Sequence, residues 1–212
     1  MSATPAPLAD PGVLAARRAA LAEPHMAPLA AFAARLRAAT GRPVPDADPA
    51  DGGTGARLLL LLETPGPAIL RTALVSRDNP APTAANLRRF LAAAGIARAE
   101  TLIWNAVPFV IHAPGARNRA PDAAERAAGL ALLPPLLDLL PRLAVAVLAG
   151  RAAGAAAPAL AAARPGLPVI PMPHPSPTYV CTSPEVPRRI AAALAEAAAL
   201  LRTPDATGRA AA

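Results

Sequence analysis

The segment PMPHPSPTY at residues 171–179 sets one histidine and one serine among four prolines. Prolines at this density exclude a helix or a central strand, so we expect a stiff and extended backbone here. The short apolar run at 167–170, directly before it, predicts a strand. An imidazole can donate or accept a proton near neutral pH. The sequence therefore predicts a rigid loop that follows a strand and presents His174 for chemistry.

Two other polar residues follow apolar runs, although both lie far from His174 in the sequence. Glu63 follows the leucine-rich run at 57–62 and begins a turn of sequence ETPG, and Asn105 follows the run at 101–104. A carboxylate can position a water molecule, and a side-chain amide can donate to one atom of a planar ligand while accepting from another. The sequence therefore sets three side chains that can do chemistry directly after apolar runs.

These residues end the strands of an alternating pattern that runs along most of the chain. The pattern predicts buried strands at 57–62, 101–104, 143–148 and 167–170, and helices at 83–94, 122–140, 150–163 and 185–201. Thr83 is a candidate N-cap and Gly95 a candidate C-cap of the first of these helices. Alternation predicts the α/β class, as a three-layer α/β/α sandwich with a central four-stranded parallel sheet. Because ligands bind beyond the carboxyl ends of parallel strands, we expect Glu63, Asn105 and His174 to line one cleft.

Composition divides the chain into three regions. Residues 1–55 are predicted to be an N-terminal helical extension and linker, in which 2–11 are disordered and 42–55, rich in proline, aspartate and glycine, are the linker. Residues 56–202 are predicted to be the α/β domain, and residues 203–212 a flexible tail.

The composition also narrows the function classes. No apolar run approaches the roughly 20 residues that span a bilayer, and the N-terminus lacks the pattern of a secretory signal. The single cysteine, Cys181, excludes an internal disulfide and any site that needs several thiolates. The net charge is +7 and every cation is an arginine, which favours a polyanionic partner, although a GC-rich genome would also replace lysine by arginine. We expect a cytoplasmic protein.

Three motifs, in this order, resemble the uracil-DNA glycosylase superfamily. They are Glu63-Thr64-Pro65-Gly66 after the first strand, Leu102-Ile103-Trp104-Asn105 at the end of a middle strand, and His174-Pro175-Ser176-Pro177 near the end of the chain. The stretch 105–125 is similar to the bacterial branch that binds an iron–sulfur cluster, through Pro114, Asn118, Arg119, Pro121 and Glu125. The resemblance covers residues 57–202. The cluster cysteines of that branch are absent, so we expect no iron–sulfur centre within this chain.

The resemblance implies roles in the cleft. Asn105 would read a base that is flipped out of DNA, and His174 would hydrogen-bond a carbonyl oxygen of the departing base. The most active relatives have Asp where this chain has Thr64, whereas the iron–sulfur branch has an acidic residue just before it. Glu63 is therefore the candidate for positioning water, with Asp78 or Asn79 as a candidate supplement. The candidate base-binding residues are Asn105, Thr64, Pro65, Gly66, Asn79 and Phe109.

Each of these assignments has a structural alternative. Asn105 can cap a strand end, Glu63 can be a solvated carboxylate, and residues 76–80 can be an Asx-type turn. Phe109 is named because the branch stacks an aromatic ring on the base and the corresponding region here has none. For Trp104 we expect a place in the core.

Contacts with DNA are expected beside the cleft. Tyr179 stands where relatives insert an apolar wedge into the duplex, and packing against the last helix is its alternative. Ser176 can donate to a phosphate, and binding through arginines should weaken with salt. The candidate DNA-binding residues are Arg77, Arg119, Ser176, Thr178 and Tyr179, and Arg117 and Arg151 are further candidates for contacts with the phosphate backbone of DNA.

The sequence therefore predicts a monofunctional DNA glycosylase that removes uracil or a related deaminated base from single- or double-stranded DNA in base excision repair. We expect it to need no metal or redox cofactor, to have no membrane partner and to be a monomer. A catalytically degenerate DNA-binding protein of the same fold is the alternative, favoured by Thr64. A small-molecule hydrolase with His174 as general base is a third, which lacks the Gly-x-Ser-x-Gly turn.

Overall fold

The structure is a computed structural model, and it describes residues 7–67, 69–113, 115–116 and 119–203. Its strands are β1 (Asp46–Ala47), β2 (Leu58–Leu62), β3 (Leu74–Val75), β4 (Thr101–Asn105), β5 (Val145–Ala149) and β6 (Val169–Met172). Its α-helices are α1 (Pro11–Ala19), α2 (Ala27–Thr40), α3 (Ile69–Thr72), α4 (Pro82–Ala93), α5 (Ala123–Leu130), α6 (Leu133–Leu137), α7 (Arg151–Gly154), α8 (Ala157–Ala163), α9 (Pro177–Val180) and α10 (Glu185–Arg202). Short 3-10 helices are Pro7–Ala9, Ala20–Ala22, Gly53–Gly55 and Arg98–Glu100. The disorder predicted for residues 2–11 is wrong for 7–11, because Pro7–Ala9 is a 3-10 helix and α1 begins at Pro11. Residues 2–6 and all of the tail predicted at 203–212 except Thr203 lie outside the described residues.

The central sheet is parallel and four-stranded, in the order β4-β2-β5-β6. Its inner strand β2 is a run of leucines, of which Leu58 to Leu61 are fully buried because both faces of the sheet are covered. The edge strand β6 contains Pro171. Proline has no backbone N–H to donate, and an edge strand tolerates this because it has a neighbouring strand on one side only. This sheet confirms the predicted fold class.

Two cores lie on opposite faces of this sheet, because successive side chains of a strand point to opposite sides. Leu59 and Leu61 of β2 pack in one core with residues of α2, α6 and α8. Leu58 and Leu60 pack in the other core with residues of α4 and α10. Helices therefore cover both faces, and the architecture is a three-layer α/β/α sandwich.

Residues 42–55 are not the linker that their composition suggested. Val44 is 2 % exposed and Asp48 is fully buried, and β1 pairs in parallel with β3 through Asp46–Leu74 and Ala47–Val75. The aspartates of this segment are buried because arginines from other parts of the chain pair with them, which local composition does not reveal.

Some helix boundaries differ from those predicted. The region 122–140 divides into α5 and α6, and 150–163 divides into α7 and α8. Gly95, with a φ of 67°, follows the end of α4 as predicted, but Thr83 does not cap this helix, because Ala81 is the N-cap and Pro82 the first residue. Within the described part of the chain, no helix is both long and apolar enough to cross a bilayer.

Candidate active site

A cavity of about 380 Å³ lies at the carboxyl edge of the central sheet. Glu63 follows β2, Asn105 ends β4, and His174 follows β6, so all three arrive at this edge as parallel strands require. The cavity brings them together with most of the other residues singled out in the sequence. Those that line it are Glu63, Thr64, Pro65, Gly66, Asn79, Asn105, His174, Ser176, Thr178 and Tyr179.

Asn105 presents its side-chain amide to the cavity with both ends available. It lies opposite Leu62 in the β2–β4 register, is 3 % exposed, and lines the cavity together with Ile103, two residues earlier on the same strand face. No side chain or backbone group of the described residues hydrogen-bonds this amide. A buried polar group is normally paired, so the free amide of Asn105 is suited to a ligand that donates to one of its atoms and accepts from the other.

The imidazole of His174 is held as a hydrogen-bond donor. The backbone N–H of Ser176 donates to Nδ1 of His174 at 3.2 Å, so in the neutral ring the proton is on Nε2. Burial lowers the pKa of His174, because the charged form is the one that loses hydration. At neutral pH the ring is therefore neutral and has one N–H to donate.

The proline-rich loop that carries His174 is anchored at both ends. Asn86 of α4 donates from Nδ2 to the carbonyl oxygen of Pro175 at 2.9 Å. Before the loop, the N–H of Gly150 donates to the carbonyl oxygen of Met172 at 2.8 Å. The loop is thus attached to α4 on one side and to the end of β5 on the other, which fixes the direction of the imidazole.

Glu63 is half-buried, and its carboxylate has no hydrogen-bond partner among the described residues. Burial raises the pKa of Glu63, and the positive charges of Arg151 and Arg126 lower it in part. The hydroxyl of the next residue, Thr64, is buried without a hydrogen-bond partner in the described part of the chain. A carboxylate and a hydroxyl that both lack partners at the wall of one cavity could bind a water molecule.

Asn79 lines the cavity, but its amide is already engaged. Its Nδ2 donates to the carbonyl oxygen of Leu74 at 2.8 Å, and its Oδ1 accepts from the hydroxyl of Thr72 at 2.8 Å. Both bonds lie within the segment from α3 to α4. Asn79 therefore shapes the wall of the cavity and has little capacity left to bind a base.

Asp78 is not part of the cavity lining, and we correct its assignment as a supplement to Glu63. Its carboxylate is 2.7 Å from Nη1 of Arg98 and 3.5 Å from Nη2 of Arg17. It is also buried. A carboxylate committed to arginines inside the protein is not available to activate water in the cavity.

Arg77 is likewise misassigned as a DNA contact, because the residue is buried, with 5 % of its surface exposed. It donates to the hydroxyl of Thr101 and lies 3.4 Å from Oδ1 of Asp51.

The surface arginine Arg119 is also paired within the protein: it forms two 2.7 Å hydrogen bonds to Glu125 and one of 2.7 Å to the carbonyl oxygen of Ile111. Arg117 lies outside the described residues.

Phe109 is a core residue, which corrects its assignment as a base-stacking ring. It is 4 % exposed, packs in the core with Leu133, and receives the guanidinium of Arg42 at 5.1 Å from its ring centre. Trp104 is in the same core, 6.3 Å from Phe32 between ring centres, as predicted. Among the described residues, the aromatic rings that line the cavity are those of His174 and Tyr179.

The mouth of the cavity is formed by the loop after His174. Tyr179 is 52 % exposed, and its ring centre lies 6.1 Å from that of His174. The hydroxyls of Ser176 and Thr178 are 2.7 Å apart. Tyr179 therefore stands at the surface beside the catalytic candidate and does not pack into the core.

Sequence reasoning missed a group of ionisable residues built around three buried aspartates, which we call the buried charge cluster: Asp48, Asp51, Asp78, Arg17, Arg77 and Arg98. Nη2 of Arg98 is 2.6 Å from Asp48 Oδ2, and its Nε is 3.0 Å from Asp51 Oδ1. Burial raises the pKa of Asp51 to about 7, against the lowering effect of Arg77 and Arg98. The signal in the sequence was a set of aspartates at 46, 48 and 51, which looked like linker composition.

The iron–sulfur cluster of the similar bacterial branch does not fit this chain. Such clusters are held by several cysteine thiolates, and this sequence contains Cys181 alone. That cysteine is exposed at the end of α9.

The polar residues of the cavity lie in a region that matches a known protein family. The sequence model of the uracil DNA glycosylase superfamily matches residues 49–198, which is more than half of the chain. A comparison with curated proteins found no match. The matched region includes Glu63, Asn105 and His174 and begins after α1, α2 and β1.

Proposed function

Because this chain belongs to the uracil-DNA glycosylase superfamily, we propose that it hydrolyses the N-glycosidic bond of uracil, or of a related deaminated base, in DNA. Membership suggests DNA glycosylase activity in general, and the cavity supports the finer assignment. The observation that carries it is that the unpaired amide of Asn105 and the donor imidazole of His174 line the same cavity. A base in a duplex has to be flipped out to reach such a cavity.

Asn105 is the residue that selects the base. The edge of uracil has a carbonyl oxygen beside an N–H, so an amide can donate from Nδ2 to the oxygen and accept at Oδ1 from the N–H. Cytosine has the opposite pattern, an amino group beside an unprotonated nitrogen. In the amide orientation that pairs with uracil, Asn105 would meet cytosine with two mismatched contacts, and pairing with cytosine would require the amide to turn by 180°.

His174 stabilises the departing base. When the bond between the sugar C1′ and the base nitrogen breaks, the electron pair moves into the base and negative charge collects on its carbonyl oxygen. The Nε2–H of a neutral His174 can donate to this oxygen, and the bond strengthens as the charge develops. The lowered pKa of His174 supports a donor that is neutral through the reaction.

Glu63 positions the water molecule that attacks C1′. Its carboxylate accepts the proton of the water as the new C–O bond forms, which leaves an abasic sugar, a protonated Glu63 and the base as an anion that then takes up a proton from solvent. The reaction needs Glu63 ionised, and Arg151 and Arg126 favour that form. The unpaired hydroxyl of Thr64 is a second group that can bind this water.

DNA would be bound around the cavity mouth by Tyr179, Ser176 and Thr178. For phosphate contacts we propose Arg71 and Arg151 in place of Arg77 and Arg119, because both are exposed and neither forms a hydrogen bond or a close ion pair with a side chain of the described residues. Arg71 belongs to α3 and Arg151 begins α7, on elements next to the cavity. A monomer acting in the cytoplasm stays our expectation.

The second candidate is a member of the superfamily that binds DNA without cleaving it. The observation that favours it is the hydroxyl of Thr64, which carries no charge at the turn where an aspartate would activate water. An oligonucleotide assay separates the two. Single- and double-stranded substrates containing uracil, hypoxanthine, xanthine or 5-hydroxymethyluracil are incubated with the protein and then treated with alkali, which breaks DNA at abasic sites.

We expect cleavage of at least one of these substrates, with thymine-containing DNA as the uncleaved control. His174→Leu should slow the reaction by about two orders of magnitude while leaving binding to undamaged DNA unchanged. Binding without an abasic site on any of these substrates would reject the enzyme and favour the second candidate.

A further inference from the structure

The helix α1 is attached to the rest of the protein through charge. None of the residues of α1 is buried, and its last turn carries the consecutive arginines Arg17 and Arg18. Arg17 belongs to the buried charge cluster, and its Nη1 lies 2.5 Å from Asp48 Oδ1. Just before α1, the N–H of Leu8 donates to the carbonyl oxygen of Asp78 at 3.2 Å. Such an attachment is specific, because each bond has one geometrically defined partner.

Arg18 binds the end of the short helix α3. Its Nη2 donates to the carbonyl oxygens of Thr72 at 3.1 Å and of Arg71 at 3.3 Å, and its Nε donates to Thr72 at 3.3 Å. The last carbonyls of a helix have no partner within the helix. A basic side chain that donates to them stabilises the helix end.

The turn that follows α3 needs this support. Ala73 has a φ of 55°, the left-handed region that residues with a Cβ rarely adopt, and it is the one such residue other than glycine in the described chain. Its carbonyl oxygen accepts from the N–H of Asp46 at 2.9 Å, where β1 pairs with β3. Arg18 and β1, both from the N-terminal region, thus hold the strained turn from its two sides.

The segment held in this way is a wall of the cavity. Ile69, Val75, Ser76 and Asn79 all line it. The hydroxyl of Ser76 donates to Asp48, which also belongs to the N-terminal region. Residues 69–79 therefore contact the substrate space on one side and residues 8–48 on the other.

We propose that the N-terminal extension, residues 7–48, is a functional part of the base pocket, and that Arg18 is a positioning residue that acts through α3 and Ala73. These residues precede the region that matches the superfamily, 49–198. The inference goes beyond the proposed function, and only its kinetic part rests on that function. Loss of the Arg18 bonds would let the wall at 69–79 move while the central sheet stays intact.

Hydrogen–deuterium exchange on the full chain tests the structural part without any need for activity. In Arg18→Met, which keeps an unbranched apolar stem and removes the donors, amides of residues 69–76 should exchange about tenfold faster, whereas those of β5 should not change. Arg18→Lys, which can still donate to one carbonyl, should restore part of the protection. The matched control is Arg35→Met, since Arg35 lies in the same extension but stacks on Phe32.

Cleavage kinetics test the consequence. Under single-turnover conditions Arg18→Met should lower the rate constant about tenfold, Arg18→Lys by less, and Arg35→Met not at all. The pH profile should stay that of the unaltered protein, and affinity for undamaged DNA should fall by no more than in Arg71→Ala, because Arg71 lies in the loosened helix α3. If the unaltered protein cleaves nothing, the proposed function fails, and exchange alone decides the present inference. Unchanged exchange at 69–76 in folded Arg18→Met would overturn it; if that variant does not fold, Arg18→Lys with unchanged exchange does the same.

Discussion

Gly150 lies against the ring-bearing side chain of His174. A Cβ added at Gly150 would be 3.1 Å from Cβ of His174 and 3.5 Å from Cδ2. Gly150 also has φ 89° and ψ 175°, a backbone region that is essentially restricted to glycine. The position of the imidazole therefore depends on the absence of a side chain at the end of β5.

Replacing this glycine should impair both catalysis and folding. In Gly150→Ala the added methyl group displaces His174, and a misplaced catalytic group costs about 10- to 100-fold in rate, while backbone strain lowers the free energy of unfolding by about 1–3 kcal/mol. Single-turnover cleavage and urea unfolding measure the two effects. Gly154→Ala is the matched control, because nothing lies within 4 Å of a Cβ there. Equal rates for both variants would contradict the positioning of His174 by Gly150.

The cleavage rate should depend on the protonation of Glu63. Burial raises the pKa of this residue, so the rate should rise with pH through a midpoint above that of an ordinary glutamate. Glu63→Gln should remove this rise and lower the rate by about 10²- to 10⁴-fold. In Arg151→Ala a charge that lowers the pKa of Glu63 is lost, so the midpoint should move to higher pH. A pH–rate profile of each protein measures this, with Arg188→Ala as a distant control. A midpoint that moves to lower pH in Arg151→Ala would contradict the assignment.

Asn105 should decide which base is accepted. Asn105→Asp has no N–H to donate to a carbonyl oxygen of uracil, so we expect its rate on uracil to fall by about 10²-fold or more, as for a lost pair of polar contacts. Its discrimination against cytosine should fall as well. Parallel assays on uracil- and cytosine-containing oligonucleotides measure both. The variant should bind undamaged DNA normally, and an unchanged base preference would show that Asn105 has only a structural role.

Arg71 should contribute to affinity for any DNA sequence. Loss of one phosphate contact in Arg71→Ala should weaken binding and reduce the slope of log affinity against log salt concentration by about 0.9. Fluorescence anisotropy with a labelled duplex at several salt concentrations measures this slope. Arg188, which lies 3.8 Å from Glu185 on α10, supplies the control variant Arg188→Ala. Identical slopes for the two variants would remove Arg71 from the DNA-binding surface.

Asp51 should make the stability of the protein decrease as pH rises. Burial raises the pKa of Asp51 from 3.8 to about 7 in the folded protein. A group with a raised pKa contributes stability that is complete below its unfolded pKa and is lost as pH rises through the folded one. Between about pH 4 and about pH 7 the unaltered protein should therefore lose free energy of unfolding relative to Asp51→Asn, which does not titrate.

Urea unfolding at pH values across this window measures the difference. Asp10→Asn is a suitable control, because Asp10 caps α1 at the surface and asparagine caps helices equally well. Parallel stability curves for the unaltered protein and Asp51→Asn would contradict the raised pKa.

The sequence by itself determined the sheet and the three residues at its edge. Leu58 to Leu62 and Thr101 to Asn105 are apolar runs that predict buried strands, and the residues after such strands share one edge of a parallel sheet. Periodicity and strand ends are local properties of the sequence, so the sequence alone could predict that Glu63, Asn105 and His174 lie close together.

Tertiary structure alone decided which other polar and aromatic residues reach the cavity. Asp78 and Asn79 are neighbours in sequence, yet Asp78 faces Arg98 and Arg17 while Asn79 lines the cavity. Phe109 turns into the core. The partners of Asp78 lie 20 and 61 residues away, and burial of a charge depends on such distant partners, because an unpaired one would cost too much free energy. No local pattern contains that information.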